Sequence, residues 1–416
     1  MKQLLVYADF HFLTAIEKLG TLNYDRVRGN EVFSFCYDSN WLNQYGDIRL
    51  GGDLGTFPGL QYAPSNSIFG CFADSLPDRW GRTLAEKREE IEAQRAHRPV
   101  KKLDSLDYLL SIDDLMRMGG FRLKTNEVEP FLNDYGAMRI PPMASIRELA
   151  AAADAIEASD ELKELPEEKW LYQLLNPGTS LGGARPKANV MEQDNSLWIA
   201  KFPSREDRHD VSQWELFCIL LAKSCHIDVA DAKTMDSGKR HHIFLTKRFD
   251  RTSDGKRVHF SSAMNLLGFK DGDGRDNGKG YLDIADLIIQ YCPDTQKQLE
   301  QLYRRVAFNI CVGNADDHFR NHGFLLTPKG WILSPAYDMN PSLSTDQCLM
   351  ISETTNEASL TALSEASDAY FIPKQRALAI IEEVRRGVSR WTSLARRLHL
   401  SETEVKFFEG RLNLFI

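Results

Sequence analysis

The sequence predicts an α+β fold, with an N-terminal part that mixes strands and helices and a C-terminal part that is mainly helical. Stretches such as EVFSFCYD alternate apolar and polar residues between glycine-containing segments, which predicts strands and hairpin turns in the first third of the chain. Segments such as YLDIADLIIQYC, LEQLYRRVAFNICVG and QRALAIIEEVRRGV place apolar residues at helical spacing in the last third. A chain of 416 residues is too long for one compact core, so we expect two or three packed parts.

The composition is that of an ordinary globular protein, with 43% hydrophobic and 26% charged residues. The 51 basic and 59 acidic residues give a formal net charge of −8, so a role with nucleic acid would need a local basic patch. The seven cysteines form no C-x-x-C pair, which favours a reducing compartment. No apolar run approaches the roughly 20 residues of a membrane-spanning helix, so we expect a cytoplasmic protein with no membrane partner.

Residues 1–135 are predicted to form an N-terminal α+β domain. EVFSFCYD and QYGDIRLGGDLG predict its strands and hairpin turns. FADSLPDRWGRTLAEKREEIEAQRA predicts a helix with Pro77 near its start and alternating charges on a solvated face. A second helix is predicted over LDYLLSIDDLMRM, ending at Gly119 and Gly120, where left-handed backbone conformations cost little.

Residues 136–260 are predicted to form a second part, and residues 261–416 a helical lobe. SIRELAAAADAIEASDEL predicts an Ala-rich helix, and ANVMEQD with SLWIAKFP predicts a β-hairpin beneath a glycine-rich turn. WELFCILLAKSCHI predicts a helix that packs inward.

The glycine-rich segment GTSLGGARPKANV is a candidate phosphate-binding loop. Gly182 and Gly183 precede a strand and leave backbone N–H groups able to approach phosphate oxygens closely. A simple hairpin turn is the commoner explanation of two such glycines taken alone. The segment also does not match the Walker A pattern G-x-x-x-x-G-K-[ST].

Lys201, in the short apolar strand WIAKFP, predicts an anionic partner, because burying an ammonium group alone is costly. A phosphate or a carboxylate would serve, and Glu215 in the following helix is such a carboxylate. A strand lysine paired with a helix glutamate is what protein kinases use to hold the α- and β-phosphates. A surface lysine and an exposed helix glutamate are the alternative.

The segment NICVGNADDHFRNHGFLL has an unusual density of polar residues between an apolar helix and an apolar strand. In kinase catalytic loops an Asp accepts the substrate hydroxyl proton and an Asn five positions later binds magnesium, the spacing of Asp316 and Asn321. Asp338 follows the next strand, in WILSPAYD, where a second Mg²⁺ ligand is expected. Taken singly, Asp338 could instead form a turn and His318 could be structural.

In order and spacing, SLGGARPK, WIAKFP, TKRFDR, NADDHFRN and SPAYD resemble the C-terminal kinase region of HipA-type proteins. GDLGTFPGLQYAP, FADSLPDRWGR and DDLMRMGGFRL are similar to the N-terminal domain of the same family, so the resemblance covers nearly the whole chain. It implies a two-lobed, protein-kinase-like fold and a serine/threonine kinase that uses ATP and Mg²⁺.

The resemblance also assigns roles to individual residues. It implies that Lys201 binds the ATP phosphates and that Asp316 is the catalytic base. Asn321 and Asp338 match the magnesium ligands, and Lys247 and Phe249 match the hinge that receives the adenine. The remaining residues implied for the ATP site are Ser180, Gly182, Gly183, Ala184, Lys187 and His318, with Glu215 as a structural ion-pair residue.

Ser180 falls where family members autophosphorylate. A phosphate there would expel the loop from the nucleotide site by like-charge repulsion, which predicts an off switch. Two positions depart from the best-known family member, which has Gly where this chain has Asp317 and Glu where it has Lys247. Asp317 either adds a carboxylate near the metals or caps the adjoining turn, and the cap is the favoured interpretation.

The family implies two kinds of partner. One is a small helix-turn-helix antitoxin, with DNA reached only through it, and the other is a protein substrate, an aminoacyl-tRNA synthetase in some members. The alternative is a non-catalytic protein, either an ATP-binding pseudokinase or a DNA-bound co-repressor partner of the antitoxin. WTSLARRLHLSETEVKFFEGRL could form a helix-turn-helix of its own, but its second helix is as acidic as it is basic and rich in Phe, which favours packing.

Overall fold

A computed structural model of the protein describes residues 2–64, 66–134, 140–162, 165–175 and 185–416. The chain divides into two compact units. The first comprises Met1–Asp207, Asp236–Lys239 and Leu245–Ser261, and the second comprises Arg208–Met235, Arg240–Phe244 and Ser262–Ile416. The predicted division into 1–135, 136–260 and 261–416 is finer than these two units and stays a prediction.

The described residues form both strands and helices. The strands are β1 (Lys2–Ala8), β2 (Glu17–Val27), β3 (Asn30–Tyr37), β4 (Leu60–Tyr62), β5 (Phe121–Lys124), β6 (Lys187–Met191), β7 (Leu197–Lys201), β8 (Ala232–Asp236), β9 (His242–Lys247), β10 (Phe260–Ser262), β11 (Gly323–Thr327) and β12 (Gly330–Leu333). The helices are α1 (Ser39–Tyr45), α2 (Gly70–Ala73), α3 (Arg79–Arg95), α4 (Ser105–Ser111), α5 (Ile146–Leu162), α6 (Glu168–Leu175), α7 (Val211–Ser224), α8 (Ala263–Leu266), α9 (Tyr281–Tyr291), α10 (Thr295–Val312), α11 (Leu360–Glu365), α12 (Lys374–Val388), α13 (Trp391–Arg397) and α14 (Glu402–Leu412). The chain passes between the two units within β8, β9 and β10.

The first unit contains an antiparallel sheet with the strand order β4-β3-β2-β1-β5. Its register pairs Leu22 with Phe35, and both side chains are buried, as are Val6 and Phe33. The predicted strand EVFSFCYD is confirmed as β3. Because alternate residues of these strands face one side, the apolar set forms a single core face.

The prediction of strands and hairpin turns over QYGDIRLGGDLG is wrong. This stretch forms a loop that contains one isolated bridge, between Gly51 and Leu54. The Arg49 side chain donates to the Gly51 carbonyl oxygen at 3.1 Å, and the Asp53 carboxylate accepts from the Gly70 N–H at 2.9 Å. These side-chain contacts satisfy backbone groups that a sheet would otherwise have to pair.

The helix predicted after Pro77 is confirmed as α3, and Asp78 caps it by accepting from the Gly81 N–H at 2.8 Å. The second predicted helix reaches only Ser111, so its extension to Gly119 is wrong. The backbone of Ile112 is extended, and the Asp113 side chain accepts from the Leu115 N–H at 2.9 Å. An aspartate that bonds the backbone two residues on stabilises a turn in competition with the helix.

The predicted hairpin of residues 187–201 is confirmed. β6 and β7 pair antiparallel, with Lys187 opposite Lys201 and Asn189 opposite Ile199. The Ala-rich helix is confirmed as α5. The glycine-rich residues Ser180, Gly182, Gly183 and Ala184 lie outside the described residues.

The second unit is built around α10, whose residues from Leu302 to Val312 are all buried. The β11–β12 hairpin follows it, with Phe324 opposite Leu333. The inward-packing helix predicted from WELFCILLAKSCHI is confirmed as α7, capped by Asp210. Ser389 and Arg390 separate α12 from α13.

In the part of the chain that the structure describes, no helix combines the length and apolar character that crossing a bilayer requires. All seven cysteines are free thiols.

Candidate active site

The polar loop between α10 and β11 begins at a glycine that the geometry requires. Gly313 has a left-handed backbone, with φ of 76°, and its N–H donates to the Asn309 carbonyl oxygen at 2.9 Å. A Cβ at this position would lie 2.3 Å from the carbonyl oxygen of Ser342. The chain therefore leaves α10 in a sharp turn that carries Asp316 out of the helix.

Asp316 and Asn321 are held together by the loop itself. The Asn321 side-chain amide donates to the Asp316 carbonyl oxygen at 3.0 Å, and the Asn321 N–H donates to the His318 carbonyl oxygen at 2.8 Å. Asn321 is buried, whereas Asp316 is exposed at the protein surface. The hydrogen bond uses the amide nitrogen of Asn321, so its amide oxygen is the side-chain atom suited to bind a cation.

Asp338 lies on the adjoining loop, which follows β12. The Asn340 N–H donates to the Asn314 side-chain oxygen at 3.2 Å, and the Ser342 hydroxyl donates to the Gly313 carbonyl oxygen at 2.6 Å. Asp338 has a left-handed backbone with φ of 57°, a conformation that non-glycine residues adopt at some cost and often at functional positions. The two loops thus run side by side in the second unit.

The charges around Asp316 affect its pKa. Crowding by protein atoms raises the pKa of Asp316, His318 opposes this shift, and the negative charges of Asp338 and Asp317 add to it. A carboxylate with a raised pKa holds a proton more readily than an ordinary aspartate. This property suits a group that accepts a proton during a reaction.

Asp317 is neither a cap nor a surface carboxylate. It is 3% exposed, and its Oδ2 atom accepts from the Tyr281 hydroxyl at 2.8 Å and from the Asn309 amide at 2.6 Å. The Nε2 atom of His322 lies 2.8 Å from the same oxygen. Burial alone would raise the pKa of Asp317, but His322 and the hydrogen bond from Tyr281 outweigh it and lower the pKa. The favoured cap is therefore wrong, and Asp317 joins α9, α10 and His322, the residue just before β11.

His318 has a ring nitrogen suited to a ligand. Its Nδ1 atom is buried and has no hydrogen-bond partner among the described residues. Buried polar atoms are normally satisfied, so an unsatisfied one next to a candidate catalytic residue is compatible with a bound group.

In the first unit, Lys201 ends β7 opposite Lys187 on β6. The Lys187 ammonium group lies 2.7 Å from the Asp78 carboxylate, and both side chains are almost fully buried. This ion pair joins the start of β6 to the residue that caps α3. Removing one partner of such a pair is strongly destabilising.

Lys247 and Phe249 lie at and just after the end of β9. The Lys247 side chain is about two-fifths exposed, with its ammonium group 4.0 Å from the Asp194 carboxylate. The Phe249 ring centroid lies 6.0 Å from that of Phe260. Between and beside them, Arg248 and Asp250 are buried and bonded to each other, with Arg248 Nη2 2.7 Å from Asp250 Oδ2.

The structure brings together the predicted residues of the second unit: Asp316, Asn321 and Asp338 lie on adjoining loops, next to His318. Glu215 is buried on α7 in the same unit. Sequence reasoning missed the buried contacts of Asp317. The signal that could have found them is Asn309, a polar residue in the otherwise apolar helical stretch VAFNICV.

A model of the HipA-like C-terminal domain matches residues 179–391, which is 213 of the 416 residues. The chain therefore belongs to the HipA-like C-terminal domain family, and the resemblance predicted from the motifs is confirmed.

Curated relatives in two bacteria are similar to this chain. The chain is 26% identical over 216 residues to the serine/threonine-protein kinase toxin HipA of Shewanella oneidensis, covering 45% of this chain and 48% of that protein. It is 23% identical over 195 residues to the serine/threonine-protein kinase CtkA of Helicobacter pylori, covering 44% of this chain and 57% of that protein. The chain spans about half the length of the curated relatives it matches.

A chain of the solved complex of the Shewanella oneidensis toxin–antitoxin system HipA, HipB and its operator DNA has the same fold. The TM-score is 0.67 at 18% identity, covering 99% of this chain and 95% of that chain. The predicted α+β, kinase-like fold class is confirmed.

Proposed function

We propose that this chain is a HipA-type serine/threonine protein kinase that transfers the γ-phosphoryl group of ATP, with Mg²⁺, to a protein hydroxyl. The observation that carries the proposal is the position of Asp316, Asn321 and Asp338 on two adjoining loops of the second unit. This is the order and spacing of the catalytic base and the two metal ligands of a kinase. Membership of the HipA-like family supports it.

In this proposal Asp316 orients the hydroxyl group of the substrate and accepts its proton. The hydroxyl oxygen forms the new bond to the γ-phosphorus, the bond from that phosphorus to the β,γ-bridging oxygen breaks, and ADP leaves. The raised pKa of Asp316 brings its proton affinity closer to that needed by a general base. Exposure of Asp316 allows a protein substrate to reach it.

The donor set of the two loops fits magnesium. Asn321 offers an amide oxygen and Asp338 a carboxylate, and Mg²⁺ prefers one or two such ligands together with substrate phosphates and water. Among the described residues no group of three or more His, Cys, Asp or Glu side chains is arranged to hold a metal. When bound, the ion would neutralise charge on the phosphates, and the protein residues would position it.

The nucleotide contacts in this proposal follow the family resemblance. Lys201 would bind the phosphates with Glu215 as its ion-pair partner, as the resemblance implies. Lys247 and Phe249 would receive the adenine. Ser180, Gly182, Gly183 and Ala184 would form the loop over the phosphates, and His318 would offer its unsatisfied Nδ1 atom to the nucleotide. Lys187, which the resemblance also implies for the ATP site, would contribute at the start of β6.

We extend three further expectations to this chain from its relatives. Autophosphorylation of Ser180 would switch the enzyme off by like-charge repulsion. The similar HipA chain was solved with HipB and operator DNA, which supports a small helix-turn-helix antitoxin as partner and DNA contact through it. The protein substrate would be a cytoplasmic protein, with an aminoacyl-tRNA synthetase as the candidate that the family implies.

The test is phosphate transfer from labelled ATP and Mg²⁺, with the purified protein alone and with a cell lysate. We expect Asp316→Asn and Asp338→Asn to lose transfer by ~10²-fold or more, because each removes a group that acts on the reacting atoms. Mass spectrometry of the treated wild-type protein should find phosphate on Ser180. Asp276→Asn is a matched control, since Asp276 is an exposed aspartate of the same unit.

Two outcomes would contradict the proposal. Full transfer by either active-site variant would remove its assigned role. A wild-type protein that binds ATP without transferring phosphate would favour the alternative, a pseudokinase or co-repressor partner of an antitoxin.

A further inference from the structure

Two buried charged residues flank the aromatic residue proposed to receive adenine. In the segment Lys247–Arg251, Lys247 and Phe249 alternate with Arg248 and Asp250. Arg248 is 4% exposed and Asp250 is fully buried. Arg248 contacts the Asp250 carboxylate through two nitrogen atoms, Nε at 2.8 Å and Nη2 at 2.7 Å. This two-point contact fixes the relative position of both side chains.

The same pair binds the backbone of residues 115–119, which lie between α4 and β5 in the first unit. Arg248 Nη1 donates to the Met116 carbonyl oxygen at 2.8 Å, and the Gly119 N–H donates to Asp250 Oδ2 at 2.9 Å. Arg251 joins this contact by donating to the carbonyl oxygens of Leu115 at 2.8 Å and Arg117 at 3.0 Å.

Arg248 also reaches the β6–β7 hairpin. Its Nη1 atom donates to the Asn189 side-chain oxygen at 2.9 Å, and Asn189 on β6 is fully buried. The Arg248 N–H donates to the Leu197 carbonyl oxygen at the start of β7, at 2.9 Å. One guanidinium group therefore joins three stretches of chain that are distant in sequence.

A second buried charge cluster lies at Asp114, immediately before residues 115–119. Asp114 accepts from Arg257 at 2.8 Å and from Arg122 at 2.8 Å. Burial alone would raise the pKa of Asp250, but Arg248 and Arg251 outweigh it and hold that pKa well below its usual range. The network is therefore charged as well as buried, so each member depends on its partners to remain in place.

We propose that Arg248, Asp250 and Arg251 are positioning residues through which residues 115–119 set the position of Lys247 and Phe249, and with it the affinity for the adenine end of ATP. This inference rests on the proposed function, in which Lys247 and Phe249 receive the adenine. It gives the N-terminal part of the chain a role in nucleotide binding without any contact with the nucleotide.

Only arginine satisfies all of these contacts at once. Its planar fork reaches a carboxylate, a carbonyl oxygen and an amide oxygen in fixed directions, whereas a lysine ammonium group keeps the charge but not the geometry. An Arg248→Lys variant therefore retains the net charge of the network and loosens its geometry.

The experiment measures the KM for ATP, the kcat and the dissociation constant for ATP in wild type, Arg248→Lys and Arg251→Lys. We expect a ~10-fold rise in KM and dissociation constant with kcat changed by less than about 3-fold, because the displaced group binds adenine and does not act on phosphate. Arg251→Lys serves as the second variant if Arg248→Lys folds poorly.

Arg304→Lys is the matched control. Arg304 is also buried and bonds both a carbonyl oxygen, that of Cys225, and a carboxylate, that of Glu383, but it contacts neither residues 115–119 nor the segment Lys247–Arg251. It should lose thermal stability while its KM for ATP stays at the wild-type value. If the role of Arg248 were purely structural, Arg248→Lys and Arg304→Lys would have the same KM for ATP and the same kcat.

The possible results separate the two proposals. A wild-type protein that neither binds ATP nor transfers phosphate would overturn the proposed function, and the inference with it. A wild-type protein that binds ATP, beside Arg248→Lys and Arg251→Lys variants with unchanged ATP affinity, would overturn the inference alone.

Discussion

Asp316 and Asp317 are neighbours in the chain, and the fold gives their carboxylates opposite surroundings. Asp316 is exposed, and its pKa is raised by the protein around it and by nearby negative charges. Asp317 is buried, and its pKa is lowered by His322 and by hydrogen bonds that outweigh its burial. Two identical side chains are thereby suited to two tasks, one chemical and one structural.

Replacing Asp317 with Asn should destabilise the protein. The change removes the charge that pairs with His322 and weakens the bonds from Tyr281 and Asn309. Hydrogen bonds to charged groups contribute about 1.5–3 kcal/mol each, so we expect a loss of ~2–4 kcal/mol in the free energy of unfolding, measured by denaturant titration. Asp316→Asn, at the exposed neighbour, should change that free energy by less than ~0.5 kcal/mol. Equal stability losses in the two variants would contradict the structural role of Asp317.

The loss of stability in Asp317→Asn should be larger at neutral pH than in acid. The pKa of Asp317 is lower in the folded protein than in an unfolded chain, so its ionised form favours folding at neutral pH. That contribution disappears as the pH falls through the ordinary range of aspartate and below it. The stability difference between wild type and Asp317→Asn should therefore shrink in acid.

At the scale of elements, the candidate catalytic loop depends on how α10 ends. The sharp turn at Gly313 brings the loop that carries Asp316 beside the loop that carries Asp338, and Ser342 bonds the Gly313 carbonyl oxygen. The buried end of α10 and the β11–β12 hairpin fix where the two loops begin. Rigid elements therefore position the reactive side chains.

Gly313→Ala should destabilise the second unit. The left-handed backbone disfavours a Cβ, and the Ser342 carbonyl oxygen occupies its place at 2.3 Å. We expect a loss of ~2 kcal/mol or more, read from denaturant unfolding, together with reduced phosphate transfer.

Gly410→Ala is the opposite-sign control for this prediction. Gly410 lies within α14, and a Cβ there meets no described atom within 4 Å. Alanine in an exposed helix should stabilise by roughly 0.5–1 kcal/mol. Stabilisation by both substitutions would show that the turn at Gly313 does not need glycine.

At the scale of the whole molecule, residues of both compact units have proposed roles. Lys201, Lys247 and Phe249 belong to the first unit, and Asp316 and Asp338 belong to the second. A ligand that binds only the folded protein stabilises it by mass action. Thermal unfolding therefore reports nucleotide binding independently of phosphate transfer.

Addition of ATP with Mg²⁺ should raise the unfolding temperature. At a ligand concentration of about 100 times the dissociation constant, the stabilisation is ~2.7 kcal/mol. Removing Mg²⁺ with a chelator should reverse most of the increase, because Asp338 would hold an ion that neutralises charge on the phosphates. In Asp338→Asn, the unfolding temperature with ATP should be nearly the same with and without Mg²⁺. A full Mg²⁺-dependent increase in the unfolding temperature of that variant would argue against Asp338 as a ligand.

The sequence by itself determined the elements whose patterns are local. Short apolar strand candidates predicted the β6–β7 hairpin, and alanine content predicted α5. Helical spacing predicted α7 and α10, and the five-residue spacing of Asp316 and Asn321 predicted their shared loop. These features depend on residues close together in the chain, so period and spacing are enough to predict them.

Only the tertiary structure decided the contacts between residues distant in the chain. It paired Lys187 with Asp78 and joined Arg248 to the backbone of residues 115–119. It also surrounded Asp317 with side chains from α9, from α10 and from the residue just before β11. Tertiary contacts also accompany the end of α4 at Ser111. The backbone of residues 115–119 forms hydrogen bonds with Arg248 and Asp250 and is not part of a longer helix. A buried charge takes whichever partner the fold brings to it, and no local pattern records that choice.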